Sequence, residues 1–280
     1  DANTGKFLPE LAKFWEISKD RKKITFELRQ DVQFHQTDYF TPTRNFNADD
    51  VVFTFSRLFD AYNPYHFVGG GQYPYFQSIG LDQLIKSIIK ESDYRVSFEL
   101  FDAQSSFLAN IATDFSVILS AEYAKNLEIN ETLDNLDNFP VGTGPYKFKD
   151  YKRDILIRYY KHKSYWKHPV ELEQLVYDIT PNSTTRIAKM LTNECDVTPH
   201  PNSSQLSILA SRNDIKVQKE TNLNIGFWAF NTQKAPFDDS RVRRALAHAV
   251  DIEKIMHAVY LDNGKRLESI LPNDSWAYQA

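Results

Sequence analysis

The sequence predicts a mixed α+β fold. Short strands with alternating apolar residues and short capped helices follow one another without the regular strand–helix–strand alternation of a doubly wound sheet. Two loops rich in Gly and Pro punctuate them, and no stretch shows an internal repeat or low complexity. Some 42% of the 280 residues are hydrophobic, enough for a sizeable core.

In chain order, the first stretch reads as strand-rich, with Ile24, Phe26 and Leu28 alternating with polar neighbours as in a half-buried strand. Asn47 stands at a helix N-cap, followed by Asp49 and Asp50, whose charge suits a helix N-terminus. Val51, Val52, Phe55, Leu58 and Phe59 then repeat at helical spacing, predicting an amphipathic helix over 48–59. A loop rich in Pro and Gly spans Asn63 to Phe76. Residues 81–89 read as a helix, and 94–101 (Tyr94, Val96, Phe98, Leu100) as a strand. Helices are predicted at about 105–113 and 120–128, then an irregular link over 130–144 that runs into Pro140-Val141-Gly142-Thr143-Gly144-Pro145.

Strands are expected at 146–149, 154–160 and 173–179, and Asn182 caps a helix with Ile187, Met190 and Leu191 on one face. A short strand near Asp196-Val197, a helix over 203–211 and a strand at 215–219 follow. Residues 225–231 (Ile225-Gly226-Phe227-Trp228-Ala229-Phe230-Asn231) read as a buried strand. Helices at 239–250 and 251–261 close the chain, with Asp251 as the cap between them. The link at 130–144 is the best internal boundary in the sequence.

Charge and motifs narrow the function by exclusion. Lys and Arg number 33 against 37 Asp and Glu, for a net charge of −4, and the basic residues are interleaved with acids, so there is no footprint of a nucleic-acid binder. No apolar run approaches the ~20 residues of a membrane span. The opening residues carry no apolar signal-peptide core. HExxH, CxxC and G-x-S-x-G are all missing, so no catalytic residue is assigned and an enzyme is not expected; an unrecognised peptidase is the reading from another class. The seven histidines are dispersed. His162 and His168 could approach each other, but the spacing matches no zinc pattern, so no metal is expected. Cys195 and His200 are close in sequence, which says little about a nucleophile–base pair, and the single cysteine reads as a small buried hydrophobe. Gly69-Gly70-Gly71 and Gly142-Thr143-Gly144 lack the lysine and spacing of phosphate loops and read as tight turns.

Several runs nevertheless occur in a telling order. Leu8-Pro9-Glu10-Leu11-Ala12 through Trp15-Glu16-Ile17-Ser18 is followed by Ile24-Thr25-Phe26-Glu27-Leu28-Arg29 and Val32-Gln33-Phe34-His35. Then come Asn47-Ala48-Asp49-Asp50-Val51-Val52-Phe53-Thr54-Phe55, Pro140 through Tyr146, and Pro236-Phe237-Asp238-Asp239-Ser240-Arg241-Val242-Arg243. The series resembles the large periplasmic solute-binding proteins of peptide, dipeptide and nickel ABC importers (extracellular solute-binding family 5). The loop Asn63 to Phe76 and Asn193-Glu194-Cys195 are similar to the dipeptide-binding and Sap-type branch, Sap-type above all.

The resemblance implies a two-lobed fold of the periplasmic-binding-protein type II kind. The chain would hold most of one lobe, with residues 1–130 as its accessory region and 131–237 as its main sheet region, and the start of the second lobe in 238–280. It implies a monomer in the periplasm whose signal peptide is removed or outside the chain, which captures peptides without a cofactor and delivers them to ABC permease subunits. Antimicrobial-peptide handling and haem as a ligand are the Sap-type associations. The residues that anchor ligand termini, and the cysteine that pairs with Cys195 in relatives, would lie outside the chain. Closure of two lobes by hinge motion would then gate delivery. A bound peptide backbone needs strand-like pairing, so the expected ligand-binding residues are Gly70, Gly71 and Tyr73 of the Gly-rich loop and Gly226, Phe227 and Trp228 of the 225–231 segment, with Asn231 at the hinge.

Overall fold

The computed structural model describes residues 6–219, 225–261, 263–271 and 278. Packing divides the chain into a first unit, Asp1–Ile179, and a second, Thr180–Ala280.

The first unit opens with the hairpin β1 (Ala12–Ile17) and β2 (Lys23–Leu28), whose turn places Arg21 at φ 59°. A loop then leads to α1 (Ala48–Phe59), held in place by backbone pairing of Gln33 with Asn45 and by the Phe46 N–H donating to the Val32 carbonyl at 2.9 Å. Two short helices, α2 (Pro74–Ser78) and α3 (Leu81–Leu84), precede β3 (Ile85–Ser92) and β4 (Arg95–Leu100). The four strands form one antiparallel sheet in the order β1-β2-β4-β3. Ile24, Phe26 and Leu28 of β2 and Val96, Phe98 and Leu100 of β4 turn one face to the core, where α1 packs on them. Phe98 is the hub: its ring meets Phe26 at 5.7 Å, Phe55 of α1 at 5.0 Å and Phe107 at 5.6 Å. Each such ring contributes roughly 2–3 kcal/mol on burial.

The helices α4 (Phe107–Ile111), α5 (Ala121–Ile129) and α6 (Asn135–Asn138) complete this core through Phe107, Tyr123, Leu127 and Leu136. The irregular link at 130–144 is therefore packed: Leu136 and Val141 are both buried. It delivers the chain to a second antiparallel sheet, the meander β5 (Tyr146–Lys152), β6 (Leu156–Lys161) and β7 (Gln174–Asp178).

The second unit holds α7 (Ser183–Leu191), α8 (Leu206–Ala210), α9 (Ser240–Ala249) and α10 (Ile252–Tyr260). Asn182, Asp239 and Asp251 cap α7, α9 and α10 through their side-chain oxygens, Asn182 and Asp251 as the sequence predicts.

Four expectations need correction. Residues 81–89 are not one helix. After the single turn of α3 the chain becomes β3, because Ile85, Ile88 and Ile89 are β-branched and find a hydrogen-bonding partner in β4. The predicted helix over 203–211, by contrast, is present as a 3₁₀ turn at Ser203–Gln205 that runs directly into α8. Residues 196–197 and 215–219 are not strands. Nor is 225–231: Phe227 is 73% exposed and Trp228 62%, and no described residue supplies the neighbouring strand that its N–H and C=O groups would need.

Candidate functional site

In the first unit, the Gly-rich loop shows why its glycines are there. Gly69, Gly70 and Gly71 have φ of 78°, 101° and 66°, a run of left-handed backbone that side chains disfavour. A Cβ on Gly71 would sit 2.6 Å from the Phe67 ring, whereas one on Gly70 would meet nothing, so Gly70 presents open backbone to solvent. Tyr73 is anchored from this loop. Its hydroxyl donates to the His66 carbonyl at 2.9 Å, and burial raises its pKa above the usual phenol value. His66 Nδ1 in turn bonds the Arg57 carbonyl at 2.8 Å, and the Arg57 guanidinium grips Asp137 at 2.7 and 2.9 Å. The loop is thus tied to α1 and α6. The Tyr73 hydroxyl is committed, leaving the partly exposed ring as the surface it offers.

In the second unit, the residues picked from the sequence gather in one place. Phe227, Trp228 and Asn231 line an open concavity of about 540 Å³ with Phe230, Lys234 and Phe237. The Phe230 and Phe237 rings lie 5.3 Å apart and Trp228 meets Phe230 edge-on at 6.4 Å. Gly226 lies beside this wall, where a Cβ would stand 3.0 Å from the Tyr260 hydroxyl. Asn231 begins a turn: its side-chain oxygen accepts from the Gln233 N–H and its carbonyl from the Lys234 N–H, both at 3.1 Å. Cys195 is a half-buried free thiol.

Two constellations carry no sequence pattern that marks them as sites. The first surrounds Asp50, which is fully buried. It accepts two hydrogen bonds from the Arg44 guanidinium (2.7 and 2.8 Å), one from the Asn47 N–H (2.9 Å) and one from the Ala121 N–H at the start of α5 (2.8 Å). The Asn47-Ala48-Asp49-Asp50 run is therefore more than a cap. Its last carboxylate fastens the preceding loop and a second helix to α1.

The second constellation is a histidine pair. His35, 5% exposed, and His162 stack edge to face with ring centroids 4.8 Å apart. The Gly142 N–H donates to His35 Nδ1 at 3.3 Å, which leaves Nε2 as the protonated nitrogen, donating to the Gly144 carbonyl at 2.9 Å. His162 Nδ1 lies 3.1 Å from the same carbonyl. Both rings clasp the Gly142-Thr143-Gly144 segment that joins the helical core to the second sheet. Burial pushes the His35 pKa down from 6.5 to about 4, against the bond to Gly144 that favours the charged form; burial lowers that of His162 as well. His162 thus approaches His35 and not His168, whose ring packs on Tyr165. Among the described residues no cluster of His, Cys, Asp and Glu is suited to hold a metal ion.

The sequence profile of the bacterial extracellular solute-binding proteins, family 5 middle, matches residues 6–280. The chain belongs to the bacterial extracellular solute-binding proteins of family 5. Heme-binding protein A of Haemophilus influenzae is 44% identical over 270 residues, covering 96% of this chain and 49% of that protein. The Escherichia coli protein named as the probable ABC transporter periplasmic-binding protein SapA is 42% identical over 278 residues, covering 99% of this chain and 51% of its own. The crystal structure of a dipeptide-binding protein from Pseudoalteromonas sp. SM9913 in complex with Met-Leu is 66% identical and superposes with a TM-score of 0.92. It covers all of this chain and 55% of that one. The chain therefore spans about half the length of the relatives it matches, and its mixed α/β architecture is that of the family.

Proposed function

We propose that this chain belongs to the periplasmic substrate-binding component of an ABC importer, which captures peptides as a monomer and hands them to the membrane permease. The observation that carries the reading is the fit, at 66% identity over the whole chain, to a protein solved with a dipeptide bound. The family is one of solute binders, which supports a role in binding without turnover. In this reading the first unit and the beginning of the second belong to lobes that close over the ligand. Residues 1–130 and 131–237 make up the first lobe, 238–280 open the second, and Asn231 lies near the hinge. Gly70 offers open backbone, Tyr73 a fixed ring, and Gly226, Phe227 and Trp228 an aromatic wall, all suited to a peptide held mainly by its main chain.

The relationship to Heme-binding protein A favours a second reading, a planar apolar ligand such as haem on the same scaffold, for which the exposed Phe227 and Trp228 rings are suitable surfaces. Antimicrobial peptides, expected from the Sap-type resemblance, stay among the candidate ligands, and the likeness to a protein named SapA supports keeping them there.

Calorimetric titration of the full-length protein with Met-Leu, with a mixed di- and tripeptide pool, and with haemin separates these readings. The peptide reading predicts saturable heat with peptides that Tyr73→Ala or Trp228→Ala weakens about tenfold or more, a loss of ~1.4 kcal/mol. Saturable heat with haemin alone would replace it with the second reading.

A further inference from the structure

A groove of about 590 Å³ runs along the first unit between the loop of residues 33–45 and the β5–β6 edge of the second sheet. Its volume lies within the ~300–1,000 Å³ range of small-molecule sites. Four cationic side chains line it, Arg44, Lys147, Lys161 and Lys163, against a single carboxylate, Glu173.

Three of the cations are held in place by the protein. The Arg44 guanidinium is fixed by both oxygens of the buried Asp50 while remaining about 30% exposed. Lys147 reaches from β5 to the Gln36 carbonyl at 2.8 Å, a neutral partner; its charge is also felt by the Asp38 carboxylate, which is itself bonded to Lys149. Lys161 pairs with Glu173. Among the described residues no carboxylate forms an ion pair with Lys147 or with the exposed Lys163. After Asp50 and Glu173 are matched to Arg44 and Lys161, two positive charges remain over one concave, polar surface.

We infer that this groove binds a small anion bearing carboxylate or phosphate groups, at a site whose lining shares no residue with the Gly-rich loop or the 225–231 segment. Of the two unmatched cations, Lys147 is already fixed on the Gln36 carbonyl and loses little freedom when an anion docks, while the exposed Lys163 adds its charge at some cost in ordering its side chain. A concave wall also screens the charges less than an open surface would. The electrostatics reach His162, which shares the groove with Lys147, Lys161, Lys163 and Glu173 and packs against His35. Burial and the Lys147 charge both disfavour its cationic form. An anion bound at Lys147 and Lys163 opposes the second of these and raises the His162 pKa.

The test is titration of the full-length protein, labelled with ¹³C-histidine, with inorganic phosphate and separately with triglutamate. The two probes share the chemistry and distinguish a free phosphate from an acidic peptide as its source. Calorimetry at low and high salt gives affinity, and the His162 ring signals give its pKa with and without the anion. The inference predicts saturable, salt-sensitive binding of at least one probe and an upward shift of the His162 pKa. Lys163→Gln, an exposed site that cannot disturb folding, should weaken binding several-fold. Lys147→Gln with Lys163→Gln should weaken it about tenfold, the loss expected for two partly screened charges. Lys216→Gln, outside the groove, should leave it unchanged. Absence of saturable binding by either probe, or binding that Lys163→Gln leaves intact, would overturn the inference.

Discussion

Protonating His35 would remove the lone pair that receives the Gly142 N–H and would place a buried charge beside His162 and Lys147. Because the folded-state pKa lies near 4 and the unfolded value near 6.5, the unfolded chain takes up the proton first as the medium acidifies. The stabilisation is complete above pH 6.5, falls as pH drops from 6.5 to about 4, and changes no further below that. The total is about 3 kcal/mol, a few pKa units at roughly 1.4 kcal/mol each. Denaturant unfolding of His35→Gln across this range should show a shallower pH slope than the parent; equal slopes would mean His35 is not the linked group. Asp50 gives a sharper case. Removing its carboxylate in Asp50→Ala strands the Arg44 guanidinium and the Ala121 N–H, at a cost of about 3–5 kcal/mol, readable as a lower urea midpoint. Gly71→Ala forces a Cβ onto the Phe67 ring in left-handed backbone and should cost at least ~1 kcal/mol, readable as a lower urea midpoint; at Gly70 the added Cβ meets no atom and the cost is that of backbone strain at φ 101° alone. The glycine run is visible in the sequence as a loop, but the partners of its residues are not. His35 and His162 likewise carry no local pattern linking them; only the fold joins them through Gly144.

Elements were legible where local chemistry and tertiary partners agree. Helix α1 begins and ends where the Asn47 cap and the apolar spacing place it, and Asn47→Ala should destabilise the first unit by about 1 kcal/mol in thermal or denaturant unfolding, by exposing the first-turn N–H groups. Strand β4 is likewise clear, since alternation and burial coincide at Val96, Phe98 and Leu100. Residues 85–89 read as helix because three isoleucines at 85, 88 and 89 satisfy a helical period, while their β-branching and the available β4 edge decide for a strand. The 225–231 segment misled for the opposite reason. Its apolar run has strand composition, yet a strand exists only with a neighbour, and no described residue provides one.

For the whole molecule, family membership was readable because short motifs fall in the family's order along nearly the entire sequence, and two of them prove to have structural tasks. The Asn47–Asp50 run fastens two helices, and the Gly142–Pro145 run is the segment clasped by His35 and His162. The ligand was not readable in the same way. The chain spans about half the length of its relatives, and those relatives carry names for peptide transport and for haem. The measurement that addresses the central claim most directly is native mass spectrometry of the full-length protein purified without unfolding. The account predicts mass additions matching di- and tripeptides, displaced by added Met-Leu. A protein that carries only porphyrin, or that gains no mass when peptides are supplied, would contradict it.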